Sequence, residues 1–121
     1  MLTRFSWSHL VLGASFILLS ACSSGPSSSL VRGHIILGHE VSAFKECKAK
    51  DDAWLYGDEM QLKTLQTAYD NLTVEPYQEV FAELEGVKQP AADCELCQAY
   101  SSGFKVTAVK KVRAAQADDC Q

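Results

Sequence analysis

From Leu30 onward the chain falls into short segments of alternating apolar and polar residues, interrupted once by a helical repeat. Leu30–Leu37 is rich in Val and Ile and reads as a strand. Gly33 and Gly38 punctuate it, as in the bent strand of a curved barrel. Val41–Cys47 follows, with Val41 and Ala43 on one face and Ser42 and Phe44 on the other. A charged turn, Lys48–Asp52, leads to a third short strand at Ala53–Tyr56. Asp58 then has the chemistry of a helix N-cap, with Gln61 three residues on as its capping-box partner. Leu62, Leu65, Ala68, Tyr69 and Leu72 recur at helical spacing and give one apolar face, while Asn71 and Pro76 end the helix. An isolated helix of this length is marginal in water, so its stability has to come from docking that stripe onto a sheet. Tyr77–Gly86 alternates again: Val80, Ala82 and Leu84 face one way, and Glu79, Phe81, Glu83 and Glu85 face the other, largely wet side. Val87–Ser102 reads as a long loop holding Pro90 and Cys94-Glu95-Leu96-Cys97. Phe104, Val106 and Ala108 alternate with Lys105 and Thr107 in a last strand, and the break at Val109–Lys111 marks a bulge.

Three strands, one helix and two strands predict a mainly β domain over residues 30–121. That order is the order of the OB-fold, a small five-stranded Greek-key barrel. A small sandwich with a packed helix is the alternative.

The N-terminal segment has a different pattern. One positive charge, Arg4, precedes an apolar run from Leu10 to Leu19 and then small residues. This is the layout of a secretory signal over residues 1–21, and the run is too short to be a permanent bilayer helix. Leu19-Ser20-Ala21-Cys22 resembles the lipobox of bacterial lipoproteins. The resemblance implies diacylglycerol on the Cys22 sulfur and an acyl chain on its amine, and two or more chains hold a protein stably on a membrane. Residues 22–29, the lipidated Cys22 and then Ser23-Ser24-Gly25-Pro26-Ser27-Ser28-Ser29, read as a flexible tether. In the lipoproteins it resembles, residues other than Asp after the cysteine permit transfer to the outer membrane. The expected location is therefore the outer membrane with the domain facing the periplasm, and the inner membrane is the alternative.

Loss of residues 1–21 leaves 100 of the 121 residues and takes the formal charge from −4 to −5, because Arg4 is the one charged residue removed. A mildly acidic chain with no basic cluster gives no electrostatic footprint for DNA or RNA. Besides Cys22 the mature chain holds Cys47, Cys94, Cys97 and Cys120. An even count in an exported domain reads first as two disulfides and second as metal ligation.

Phe44-Lys45-Glu46-Cys47, the helix carrying Leu65-Gln66-Thr67-Ala68-Tyr69, and Glu83-Leu84-Glu85-Gly86 follow one another in an order that resembles the C-terminal OB domain of the NlpE family. These are envelope lipoproteins linked to copper homeostasis and surface-stress signalling. The resemblance covers roughly Gly33–Gly86 and rests on the order of the motifs. The family domain carries a cysteine near its C-terminus, where this chain has Cys120. The family also has an N-terminal domain with its own Cys-x-x-Cys, for which this chain has no room; here the Cys-x-x-Cys lies in the loop between the last two strands. The fold therefore carries over better than the copper and signalling roles. Four mature thiols allow three pairings. The expected pairs are Cys47–Cys120 and Cys94–Cys97, the first being the pair to which the resemblance also points. Closing about 74 residues contributes ~4 kcal/mol in the chain-entropy model, and closing about 4 contributes ~2 kcal/mol.

Cys94-Glu95-Leu96-Cys97 is the sharpest chemical candidate. Two thiols at this spacing form a structural disulfide, a two-thiolate clip for a soft metal, or a redox pair. Acidic Asp93 and Glu95 raise a thiol pKa and make a poorer nucleophile. His39 is the histidine available to join Cys94 and Cys97 in a copper or other soft-metal site. Against that, a Cys-x-x-Cys with no second ligand pair at fixed spacing is a weak metal signal, and His34 and His39 also read as barrel-strand histidines. Trp54, Tyr56, Tyr77 and Phe81 form either an aromatic platform of the kind OB-folds use, suited here to a protein or glycan, or part of the core. No Ser-His-Asp set, phosphate loop or His-Glu-x-x-His motif is present. The expectation is a non-enzymatic, lipid-anchored interaction module in envelope homeostasis or stress sensing, with an envelope protein as partner. The alternative is a periplasmic copper or soft-metal binder. A thiol-redox partner is the third reading.

Overall fold

The computed structural model describes residues 27–121, so the signal segment, Cys22 and most of the tether lie outside the described residues. Alternation in the first segment becomes β1 (Ser29–Gly38), whose Val31, Gly33, Ile35 and Leu37 are buried while Leu30 and Arg32 face solvent. His39 and Glu40 turn the chain into β2 (Val41–Glu46), with Glu40 at φ 60° in the left-handed region. β3 (Ala53–Gly57) pairs with β2 at Ala43↔Trp54 and Phe44↔Ala53. After α1 (Glu59–Leu72) come β4 (Val80–Pro90) and β5 (Ser102–Ala114). β5 runs parallel to β3 and antiparallel to β4, and β4 returns to β1. The strand order β1-β2-β3-β5-β4 closes a five-stranded OB-type barrel with one helix.

Ile35, Phe44, Leu55, Val80, Leu84, Phe104 and Val106 fill the barrel. α1 adds buried Leu65 and Tyr69 to the same core, with Leu72 packed beside them, so the predicted stripe is the docked face. Asp58 caps this helix by accepting the Gln61 N–H at 2.9 Å. The reciprocal half of the expected capping box is replaced: Gln61 Oε1 accepts the Val109 N–H at 3.2 Å, which fastens the helix to β5 beside its bulge. Tyr69 donates its hydroxyl to the Gln78 carbonyl at 2.5 Å, and burial pushes its pKa up. No helix among the described residues is long and apolar enough to cross a membrane.

β4 differs from the expected Tyr77–Gly86 at both ends. Tyr77 has φ 59° and belongs to the turn before the strand. Beyond Gly86 the strand continues to Pro90, paired as far as Pro90↔Ser102, so the expected long loop shortens to 91–101. Gly86 is a close-approach position: a Cβ there would lie 2.4 Å from the Lys105 carbonyl oxygen and 2.5 Å from the Phe104 ring. Register shifts fall between Glu83 and Leu84 and between Glu85 and Gly86, which bulges β5 at Lys110, inside the expected break, and at Thr107.

Candidate functional site

One end of the barrel gathers the β2–β3 turn, the β4–β5 loop and the start of β1. Ser29 pairs with Gly86, and Pro90 lies four residues further along the same strand. A cavity of about 200 Å³ opens here, lined among others by Phe44, Ala53, Phe104, Glu46 and Lys88. The Phe44 and Phe104 rings meet at 4.9 Å between centroids, and Lys88 Nζ pairs with Glu46 Oε2 at 2.8 Å. The slot thus sets two aromatic rings beside an ion pair. An apolar lining with a few placed polar groups is the usual composition of a binding site.

The β4–β5 loop is held to the barrel by Tyr100, whose ring meets Trp54 edge-on at 5.4 Å. Within it Cys94 is exposed and Cys97 is 1 % exposed, at the start of a short 3-10 turn, Cys97–Ala99. Their Cα atoms are 5.2 Å apart, at disulfide distance. The Cys97 N–H donates to Cys94 Sγ at 3.2 Å, and the Gln98 N–H to the Cys94 carbonyl at 3.1 Å. His39 is not brought to this pair. It sits in the β1–β2 turn at the opposite end of the barrel, 90 % exposed, with Glu40 Oε1 at 3.8 Å. Among the described residues no three His, Cys, Asp or Glu side chains group as a metal site.

A second constellation lies on the outside of the barrel, where the C-terminal tail folds back. Phe81 was expected on the wet face with the glutamates. It does point outward, yet it is 2 % exposed. Its cover is His34, edge-on at 5.7 Å, and the Arg113 guanidinium, 4.1 Å from the ring centroid. Both covering groups converge on Asp119: His34 Nε2 is 3.0 Å from Oδ2 and Arg113 reaches Oδ1 at 2.6 Å. The Gln116 N–H donates to Oδ2 at 2.6 Å. Burial opposes the Asp119 charge, but the Gln116 N–H, His34 and Arg113 together outweigh it and hold the carboxyl at about 2. Next to Asp119, Cys120 stands 5.2 Å at Cα from Cys47, at disulfide distance across 73 residues. Cys47 itself is tied to β1 through its N–H to the Arg32 carbonyl at 2.8 Å. Both His34 ring nitrogens face carboxylates, since Glu79 Oε1 lies 4.0 Å from Nδ1. This geometry clamps the tail against the barrel. Arg113 and Asp119 carried no sequence signal beyond their place in a polar tail.

The four aromatic candidates do not form one platform. Trp54 packs on Tyr100, Tyr56 lies beside Gly103 of β5, Phe81 lies under the tail, and Tyr77 is 53 % exposed at the far end against Gly38. Fold and site together define a small OB-type barrel with a clamped C-terminus and a slot at one end. Comparison with protein-family models, with curated proteins and with solved structures finds no match to this chain.

Proposed function

We propose that this protein is a lipid-anchored envelope protein whose barrel is a small interaction module in envelope homeostasis or stress sensing, working by binding and not by catalysis. The observation that carries this reading is the slot between the β2–β3 turn and the ends of β4 and β5. OB barrels take ligands on the strand 2–3 face and the loops between strands 1 and 2 and between strands 4 and 5; the slot borders that face and the β4–β5 loop, while the β1–β2 turn lies at the other end. The lipobox-like Leu19-Ser20-Ala21-Cys22 and the resemblance to the NlpE family support the envelope setting. The proposed location is the outer membrane, periplasm-facing, with the inner membrane as alternative.

The anchor constrains the partner. Ser29 is seven positions after Cys22, a reach of at most about 25 Å. Because β1 begins at the slot end, lipidation at Cys22 would hold the slot close to the bilayer. The proposed partner is therefore an envelope protein in, or lying on, the same membrane; the acidic charge disfavours nucleic acid. A copper or soft-metal role is the second reading, favoured by the exposed Cys94 three residues from Cys97. His39 being remote, such a site would use Cys94 and Cys97 alone or take further ligands from a partner.

Site-specific photo-crosslinking in intact cells tests the interaction reading. Probes at Ala49 and Ser102, on the slot, are expected to give a defined adduct that is lost with Cys22→Ser. A probe at exposed Thr67 on α1 is expected to give none. The same adducts from Thr67 as from the slot positions would overturn the proposed site.

A further inference from the structure

We propose that Cys94–Cys97 is a thiol–disulfide exchange site, with Cys94 as the sulfur that an outside thiolate attacks and Cys97 as the internal partner. Three observations on the β4–β5 loop carry this assignment. The first is accessibility. Cys94 is exposed and Cys97 is 1 % exposed, so Cys94 is the residue of the pair that solvent reaches. The second is a built donor: the Cys97 N–H points at Cys94 Sγ from 3.2 Å. In the disulfide that contact is weak. When Cys94 becomes a thiolate it becomes a charge-assisted hydrogen bond on the atom that carries the charge. The acidic neighbours Asp93 and Glu95 work against a thiolate here, and this N–H is the feature of the loop that offsets them.

The third observation is mechanical independence. Cys94 and Cys97 are 3 residues apart and sit outside the strands, whereas Cys47 and Cys120 are 73 apart and pin the tail. Opening the short ring frees almost no chain, because its ends cannot separate far. Tyr100 on Trp54 and the ladder from Pro90↔Ser102 onward hold the loop base in either redox state. One pair staples the domain; the other is placed to open without unfolding it.

The co-reactant is a cysteine pair of a second protein. Its thiolate attacks Cys94 Sγ; a partner–Cys94 bond forms and the Cys94–Cys97 bond breaks. The electron pair passes to Cys97 Sγ, which takes a proton. The partner's second thiolate then attacks its own sulfur in the mixed disulfide and releases Cys94, which the Cys97 N–H receives. The partner has lost two electrons to become a disulfide, and Cys94 and Cys97 have gained them as a dithiol. With a partner disulfide and a reduced Cys94–Cys97 pair, the same steps run in reverse. This role is independent of what the slot binds, so its failure leaves the proposed interaction function intact.

The test uses purified full-length protein with glutathione as the thiol probe. In graded mixtures of reduced and oxidised glutathione, quenched by alkylation and mapped by mass, Cys94–Cys97 is expected to open while Cys47–Cys120 stays closed and the circular dichroism spectrum is unchanged. In Cys97→Ala, oxidised glutathione is expected to add to Cys94 at least tenfold faster than it adds to Cys97 in Cys94→Ala. Equal rates at the two sulfurs would overturn the assignment. So would a Cys94–Cys97 bond that yields only together with Cys47–Cys120 or only as the fold is lost.

Discussion

Replacing Cys47 and Cys120 together by Ser should destabilise the domain far more than replacing Cys94 and Cys97 together. The first pair spans 73 residues and the second spans 3. In the chain-entropy model the long bridge contributes ~4 kcal/mol and the short one ~2 kcal/mol. The structure adds a term to the long bridge alone. Cys120 follows Asp119, which holds His34 and Arg113 over Phe81, a ring 2 % exposed on the outside of the barrel. Full burial of such a ring is worth about 1.5–3 kcal/mol, and a freed tail forfeits part of it. The expected loss for the long bridge is thus about 5 kcal/mol. At about 4–8 °C per kcal/mol for a domain of this size, the Tm should fall by at least about 20 °C. The assay is thermal unfolding by circular dichroism at neutral pH without reductant, on the full chain and the two double variants. In the variant lacking Cys47 and Cys120, Phe81→Ala should also cost less than in the parent, because the ring is already partly uncovered. Equal Tm losses for the two double variants, or a Phe81→Ala cost unchanged between backgrounds, would refute the reasoning.

Three further outcomes are expected. Leu65 is 1 % exposed in the core and Thr67 is exposed; Leu65→Ala should cost about 2–5 kcal/mol in denaturant unfolding, while Thr67→Lys should be near neutral. Gly86→Ala would place a methyl 2.4 Å from the Lys105 carbonyl and 2.5 Å from Phe104, so it should cost at least about 1–3 kcal/mol and disturb the β4–β5 register by amide exchange. Asp119 is held at about 2, below its ordinary 3.8; its contribution is full above the ordinary value and is lost as pH falls from about 4 through about 2. Asp119→Asn should flatten that acid limb in Tm measured across this range, and an unchanged limb would remove Asp119 from the clamp.

The barrel was legible because its strands alternate and its helix carries a 3.6-residue stripe. Val80, Ala82 and Leu84 fell on the buried face, Leu65 and Tyr69 on the docked face, and Asp58 at the cap. The β5 bulge at Lys110 was legible from the broken alternation at Val109–Lys111, whereas the one at Thr107 fell within regular alternation and was not. What misled was tertiary. Gly86 looks like a strand end because glycine weakens strands, whereas here a neighbouring ring and carbonyl occupy the space of its side chain. Gln61 fits a capping box, yet the Val109 N–H beside the bulge takes its side-chain oxygen instead. Phe81 looks solvated beside glutamates because its cover, His34 and Arg113, comes from residues 47 and 32 positions away, held there by Asp119, which no local pattern connects to it. The slot is a product of closure: Phe44 and Phe104 are 60 residues apart and become neighbours when β1 to β5 form one barrel. The Cys94–Cys97 pair was visible as a motif, but its asymmetry of exposure and the Cys97 N–H on Cys94 Sγ belong to the folded loop.

The proposed acylation at Cys22, with both cysteine pairs of the barrel oxidised, is tested by intact mass spectrometry of the native protein extracted from the membrane without reductant. The expected mass is that of a chain beginning at Cys22 with diacylglycerol and an acyl chain, four hydrogens light for two disulfides, and carrying no metal. Peptide mapping of the same sample should link Cys47 to Cys120 and Cys94 to Cys97. A soluble chain retaining residues 1–21, or stoichiometric copper on free Cys94 and Cys97, would contradict it.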